Sequence, residues 1–125
     1  MKVVQAATRE QEREIEELVA YFFSFLFPMY FSPERVEQFY QSGILRPSFR
    51  SGTMDESYRI LASLQTLIEL IESGRLHENE YRKMFDKNAR ILTELGFDFP
   101  FSPDQFQKRD SGKPFWVKAQ TAWLM

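Results

Sequence analysis

His77-Glu78-Asn79-Glu80-Tyr81 opens like the helix of a zinc protease, which sets two His four residues apart so that both imidazoles reach one metal. Tyr81 stands where the second His must be, and His77 is the only His in the chain. A carboxylate-bundle metal site would need Glu three residues before His77, and Gly74 is there. His77 therefore reads as a helix-start or surface residue. A Ser-His-Asp triad would have to use the same His and has no supporting signature. Gly112-Lys113-Pro114 has Pro where a phosphate loop needs Ser or Thr, and the upstream Gly is missing. There is no Gly-x-Ser-x-Gly elbow, no glycine-rich dinucleotide turn and no Cys. No catalytic, cofactor-binding or metal-ligating residue is assigned, and the expectation is a protein that is not an enzyme.

Three weaker constellations remain. Glu10, Glu14 and Glu17 recur at helical spacing and could gather carboxylates around a divalent cation. Acidic residues also favour a helix N-terminus, and Arg9 and Arg13 can pair with them, which is the simpler account. Asn88 falls inside an apolar stripe between Phe85 and Ile91, where a buried amide must find hydrogen bonds. It is expected to be a satisfied core Asn that fixes helix register, with recognition of a ligand as the alternative. Finally, Arg46-Pro47-Ser48-Phe49-Arg50 and the stretch from Lys108-Arg109 through Lys113, Phe115, Trp116 and Lys118 mix cations with rings. Such mixtures can stack bases and hold phosphates, but they equally describe rings entering a core while Lys stays in water. A net charge of −2 provides no global attraction to nucleic acid, so core packing is favoured.

The elements that would carry these residues are helices. Thirteen Phe in 125 residues crowd into stretches such as 21–31, so the composition is that of a packed globular chain. The apolar run from Leu18 to Phe31 is shorter than the roughly 20 residues a spanning helix needs, and Pro28 interrupts it. Thr8-Arg9-Glu10-Gln11 has capping-box spacing and predicts a helix from about Arg9, with Ile15, Leu18, Val19, Phe22, Phe25 and Leu26 on one face. Phe23 and Phe27 flank that stripe, and Pro28 is expected to end it. Ser32-Pro33-Glu34 predicts a short second helix packing through Val36, Phe39 and Tyr40 and stopping at Gly43. Residues 44–52 read as a loop. Thr53-Met54-Asp55-Glu56 is another capping box, opening a helix with Ile60, Leu61, Leu64, Leu67, Ile68 and Ile71 inward and Gly74 as its stop. Tyr81, Met84, Phe85, Ile91, Leu92 and Leu95 mark a fourth helix closed by Gly96. Phe97-Asp98-Phe99-Pro100-Phe101 reads as an aromatic plug, and Ser102-Pro103 as the start of a short helix.

The fold class expected is mainly α: one domain over 1–125, a four- to five-helix, mostly antiparallel bundle with an aromatic-rich core and an irregular C-terminal segment. The opening Met1-Lys2-Val3-Val4, then Thr8-Arg9-Glu10-Gln11 and the aromatic run to Phe31, resembles the YhcU-like family of small proteins from spore-forming Gram-positive bacteria. Leu61-Ala62-Ser63-Leu64-Gln65-Thr66-Leu67-Ile68 adds to the likeness. The resemblance implies a bacterial, cytoplasmic protein and carries over no catalytic or binding residue.

The surplus of rings points to a protein-interaction or regulatory module, a homodimer included, with Phe23, Phe27, Phe49, Arg50, Phe115, Trp116 and Trp123 as its candidate surface. The alternatives are a carrier of a small apolar ligand, oriented by Asn88 or a Tyr hydroxyl, and weak nucleic-acid binding through the basic–aromatic segments. Cofactors are not expected, nor is a membrane span.

Overall fold

The computed structural model describes residues 9–46 and 53–106. Helix α1, Arg9–Tyr21, starts where the sequence places it, although Thr8 lies outside the described residues. Pro28 does not end this helix. The chain widens into a π-helical turn over Phe22–Leu26 and then resumes as α2, Phe27–Tyr30, so one rod runs from Arg9 to Tyr30. A Pro ring clashes with the carbonyl four residues earlier and offers that turn no N–H. Opening the turn just before Pro28, with Phe27 N–H donating to Phe22 O five residues back, relieves the clash but still leaves one carbonyl without a donor.

The inserted residue changes the phase of the rod. Five residues now separate stacked positions, so Phe27 lies over Phe22, with ring centroids 5.5 Å apart. Phe27 is thereby rotated from the flank into the interior, fully buried. Its place in a surface patch, expected from a constant 100° step, is corrected.

Phe31 is extended and breaks the rod, and Ser32 then caps α3, Pro33–Gln41, accepting a hydrogen bond from Arg35 N–H at 3.2 Å. Gly43, at φ 85°, closes α3: its N–H reaches Tyr40 O and Ile44 N–H reaches Phe39 O. That is the paired Schellman arrangement, with Ile44 and Phe39 both buried beneath it. Leu45 follows at φ 59°, unusual for a residue with a Cβ, and is held by a buried side chain and by its N–H donating to Asp98 O at 2.8 Å.

Helix α4, Met54–Ser73, has the full capping box: Thr53 Oγ1 accepts from Glu56 N–H, and Glu56 Oε1 accepts from Thr53 N–H. The six apolar positions expected inside are buried, and so are Ser57, Ser63 and Leu70. This wider buried arc follows from α4 packing against both α1 and α5, Asn79–Glu94. A short loop makes α4 and α5 antiparallel neighbours, while the end of α1 lies against the C-terminal half of α4, where Tyr21 Oη donates to Glu72 Oε2.

On α5 the buried line runs through Phe85 and Leu92, with Met84 exposed and Ile91 only half buried. Asn88 consequently sits on the helix flank, half-exposed, and its amide donates back to Met84 O at 2.8 Å. It is not the buried polar residue that the sequence suggested. A second Schellman pair at Gly96 closes α5, Phe97 N–H bonding Leu92 O and Gly96 N–H bonding Thr93 O.

Phe97, Phe99 and Phe101 then alternate inward while Asp98 and Pro100 face out, as an extended segment requires. The rings of Phe22, Phe27, Phe31, Phe39, Phe101 and Phe106 meet at centroid separations of 4.9–6.4 Å, many edge-to-face. A 3-10 turn, Pro103–Phe106, completes the cluster and is tied to α5 by Arg82 and Asp104 at 2.8 Å. That hydrogen bond to Arg82 holds the Asp104 carboxyl below its ordinary value. The architecture is helical, four helices around an aromatic-rich core, with no strand among the described residues.

Candidate interaction groove

The rod and α3 do not close completely on each other. Between them runs an open, mainly apolar groove in two hollows of about 390 and 460 Å³. Phe23 and Tyr40 line both, meeting edge-to-face at 5.7 Å as the saddle between them. Tyr40 is 57% exposed beside a buried Phe39, because α3 turns only a narrow face, Phe39, to the core. Phe27 backs Phe23 at 5.1 Å, so the saddle stands on the ring cluster.

One hollow is floored by Ile15, Val19, Ile44 and Leu45; the other is walled by Pro28, Pro33 and Val36. Charge appears at the rim. Arg46 donates to Tyr40 O at 2.6 Å, and its guanidinium lies 4.9 Å from the centre of the Tyr40 ring, fixing how that ring is presented. Glu16 borders the first hollow and Glu37 the second. The helices behind them lean acidic: Glu10, Glu12, Glu14, Glu16 and Glu17 against Arg9 and Arg13 on α1, and Glu34 and Glu37 against Arg35 on α3.

The π-turn adds one polar feature. The helical donors for Phe23 O would be the N–H of Phe27, which is committed to Phe22 O, or that of Pro28, which does not exist. Phe23 thus brings a carbonyl without its helical partner to a residue that lines both hollows.

The remaining candidates are placed as follows. Glu14 and Glu17 line a separate, more polar hollow with Tyr21 and Gln65. Burial, then the hydrogen bond to the Glu72 carboxylate, pushes the Tyr21 phenol up to about 12. Among the described residues there is no cluster of His, Asp and Glu able to hold a metal ion. His77 is exposed, 4.0 Å from Glu78. Of the expected surface residues, Phe23 is in the groove and Phe27 beneath it, whereas Phe49, Arg50, Phe115, Trp116 and Trp123 lie outside the described residues. Tyr40, expected to pack inward with Val36 and Phe39, is instead exposed at the groove, and Ile44 and Leu45 were read only as part of a loop; the Phe39-Tyr40 doublet was the available signal.

Comparison with known proteins supplies a family. The model of a family of unknown function, DUF5365, matches residues 1–111. The chain belongs to this family. It is also similar to the uncharacterized protein YhcU of Bacillus subtilis (strain 168), 33% identical over 112 residues, covering 87% of this chain and 86% of that protein. No solved structure matches. DUF5365 membership agrees with the YhcU-like resemblance read from the sequence and assigns no residue a role. Among the described residues of this DUF5365 member no helix is long and apolar enough to cross a membrane.

Proposed function

We propose that the protein is a non-enzymatic interaction module, regulatory rather than catalytic, that receives an apolar segment of a polypeptide in the groove between α1 and α3. One observation carries the reading: an aromatic pair, half-buried Phe23 and exposed Tyr40, stands between two apolar hollows and is braced from behind by Phe27 and from the rim by Arg46. Rigid aromatic anchors in apolar surroundings dominate the energetics of protein interfaces. The groove is open along its length, which suits a stretch of chain with side chains entering both hollows. Glu16 and Glu37, one at the rim of each hollow, favour an occupant that carries Lys or Arg beside its apolar residues.

Photo-crosslinking in living cells tests this. A benzophenone amino acid replaces Tyr40 in one sample and Met84, an exposed residue on α5, in another. Light-dependent adducts are expected from position 40, with linked peptides both apolar and basic, and only background from position 84. Equal labelling at the two positions, or none at position 40, overturns the reading.

A further inference from the structure

We propose that the groove is occupied by the chain's own residues 107–125, which would make it a self-masked site. This rests on the interaction reading above and names its resident occupant. Residues 107–125 lie outside the described residues.

Three matches converge. The first is charge: Lys108, Arg109, Lys113 and Lys118 against Asp110 make this segment basic, and the groove lining offers Glu16 in one hollow and Glu37 in the other, against Arg46. The second is chemistry. The segment holds both Trp of the chain, Trp116 and Trp123, together with Phe115 and Leu124. An indole is a large apolar body with a single N–H donor and no acceptor. The groove offers the complement, two apolar hollows and the Phe23 carbonyl that has lost its helical donors. The third is reach. Phe106 is anchored in the core, its ring 6.4 Å from that of Phe27, which is in turn 5.1 Å from that of Phe23. The ten residues from Phe106 to Trp116 can extend about 33 Å, far more than this distance requires. Tethering also places the segment at an effective concentration of roughly millimolar, so an intramolecular occupant outcompetes a free one of equal affinity.

Both Trp lie in this segment, so fluorescence excited at wavelengths beyond the absorption of the five Tyr reports on it alone. Emission and acrylamide quenching are compared in the wild type and in Ala20→Lys and Phe23→Asp. Met84→Lys is the control on α5. Ala20 is exposed and lines the groove, so its replacement leaves the core intact; far-UV circular dichroism checks each fold. Wild type and Met84→Lys are expected to show short-wavelength, quench-protected emission that does not change on dilution. Phe23→Asp, which removes an anchor contact worth roughly thirty-fold in docking, is expected to move it toward that of the urea-unfolded chain. Ala20→Lys, which sets bulk and a cation against a basic segment, is expected to move it the same way. Wild-type emission equal to that of the unfolded chain, indifference to both groove substitutions, or loss on dilution (docking onto a second copy) overturns the proposal. Adducts at position 40 that join other proteins, with fluorescence unaffected by Ala20→Lys, would sink this inference alone. Silence at position 40 would sink the interaction reading itself.

Discussion

Phe27→Ala is the substitution to which this fold should be most sensitive. Phe27 is fully buried, and its ring meets those of Phe22, Phe23, Phe31, Phe39, Phe101 and Phe106, drawn from the rod, α3 and residues 97–106. Truncating such a ring removes its transfer free energy and leaves a cavity that rigid neighbouring rings cannot fill, a cost of about 3–5 kcal/mol. A domain of this size has roughly 5–15 kcal/mol in total, so the variant should be only marginally folded. Phe27→Leu, which keeps much of the volume, should lose less than half as much. Urea denaturation followed by far-UV circular dichroism measures all three proteins. A double-mutant cycle with Phe101, 5.2 Å away, should give a coupling of about 0.5–1.5 kcal/mol from the ring contact. If Phe27→Ala cost less than about 1 kcal/mol, the range of ordinary surface changes, the π-turn phase shift that places Phe27 inside would be refuted.

Other substitutions probe separate links. Thr53→Ala removes the capping box of α4 and should cost about 1 kcal/mol, read from the same urea curves. Ser57 is fully buried and its hydroxyl has no hydrogen-bond partner among the described residues, so Ser57→Ala should be neutral or stabilise by up to about 1 kcal/mol; a clear loss of stability would mean the hydroxyl is satisfied. Tyr21 is raised from 10.0 to about 12, so the neutral phenol is favoured by folding. Its contribution is complete below pH 10 and lost as pH climbs toward 12, so ultraviolet titration should find one late-ionising Tyr that Tyr21→Phe abolishes.

Pro28 apart, which was expected to end the first helix and does not, the helix ends were the most legible part of this chain, because each is written in local chemistry. Thr53 with Glu56, Ser32 with Pro33, and Gly43, Gly74 and Gly96 act through contacts within a few residues of themselves. The inward faces of α4 were legible for a similar reason, a regular 3.6-residue repeat over twenty residues. What failed was anything depending on phase after an irregularity. One π-turn exchanges the roles of neighbouring positions, moving Phe27 from flank to core. On α5 the stripe was drawn through Met84 and Ile91, and Asn88 was counted as buried in consequence. The groove was illegible because it is a gap between two elements. Sequence offered Phe23 on one wall, but Tyr40, Ile44 and Leu45 on the other depend on how α3 turns back at Ser32.

The ring cluster also sets a schedule for biosynthesis. Phe27, Phe31 and Phe39 leave the ribosome early, yet Phe101 and Phe106, which cover them, follow roughly seventy residues later. At ~5–20 residues per second, the delay is about 4–15 s. Throughout that interval the nascent rod and α3 present rings that have no lid, and hydrophobic surface of this kind is what chaperones and aggregation both recognise. The cluster can close only when residues 97–106 arrive, so a ribosome stalled upstream of them holds the chain at its most adhesive stage.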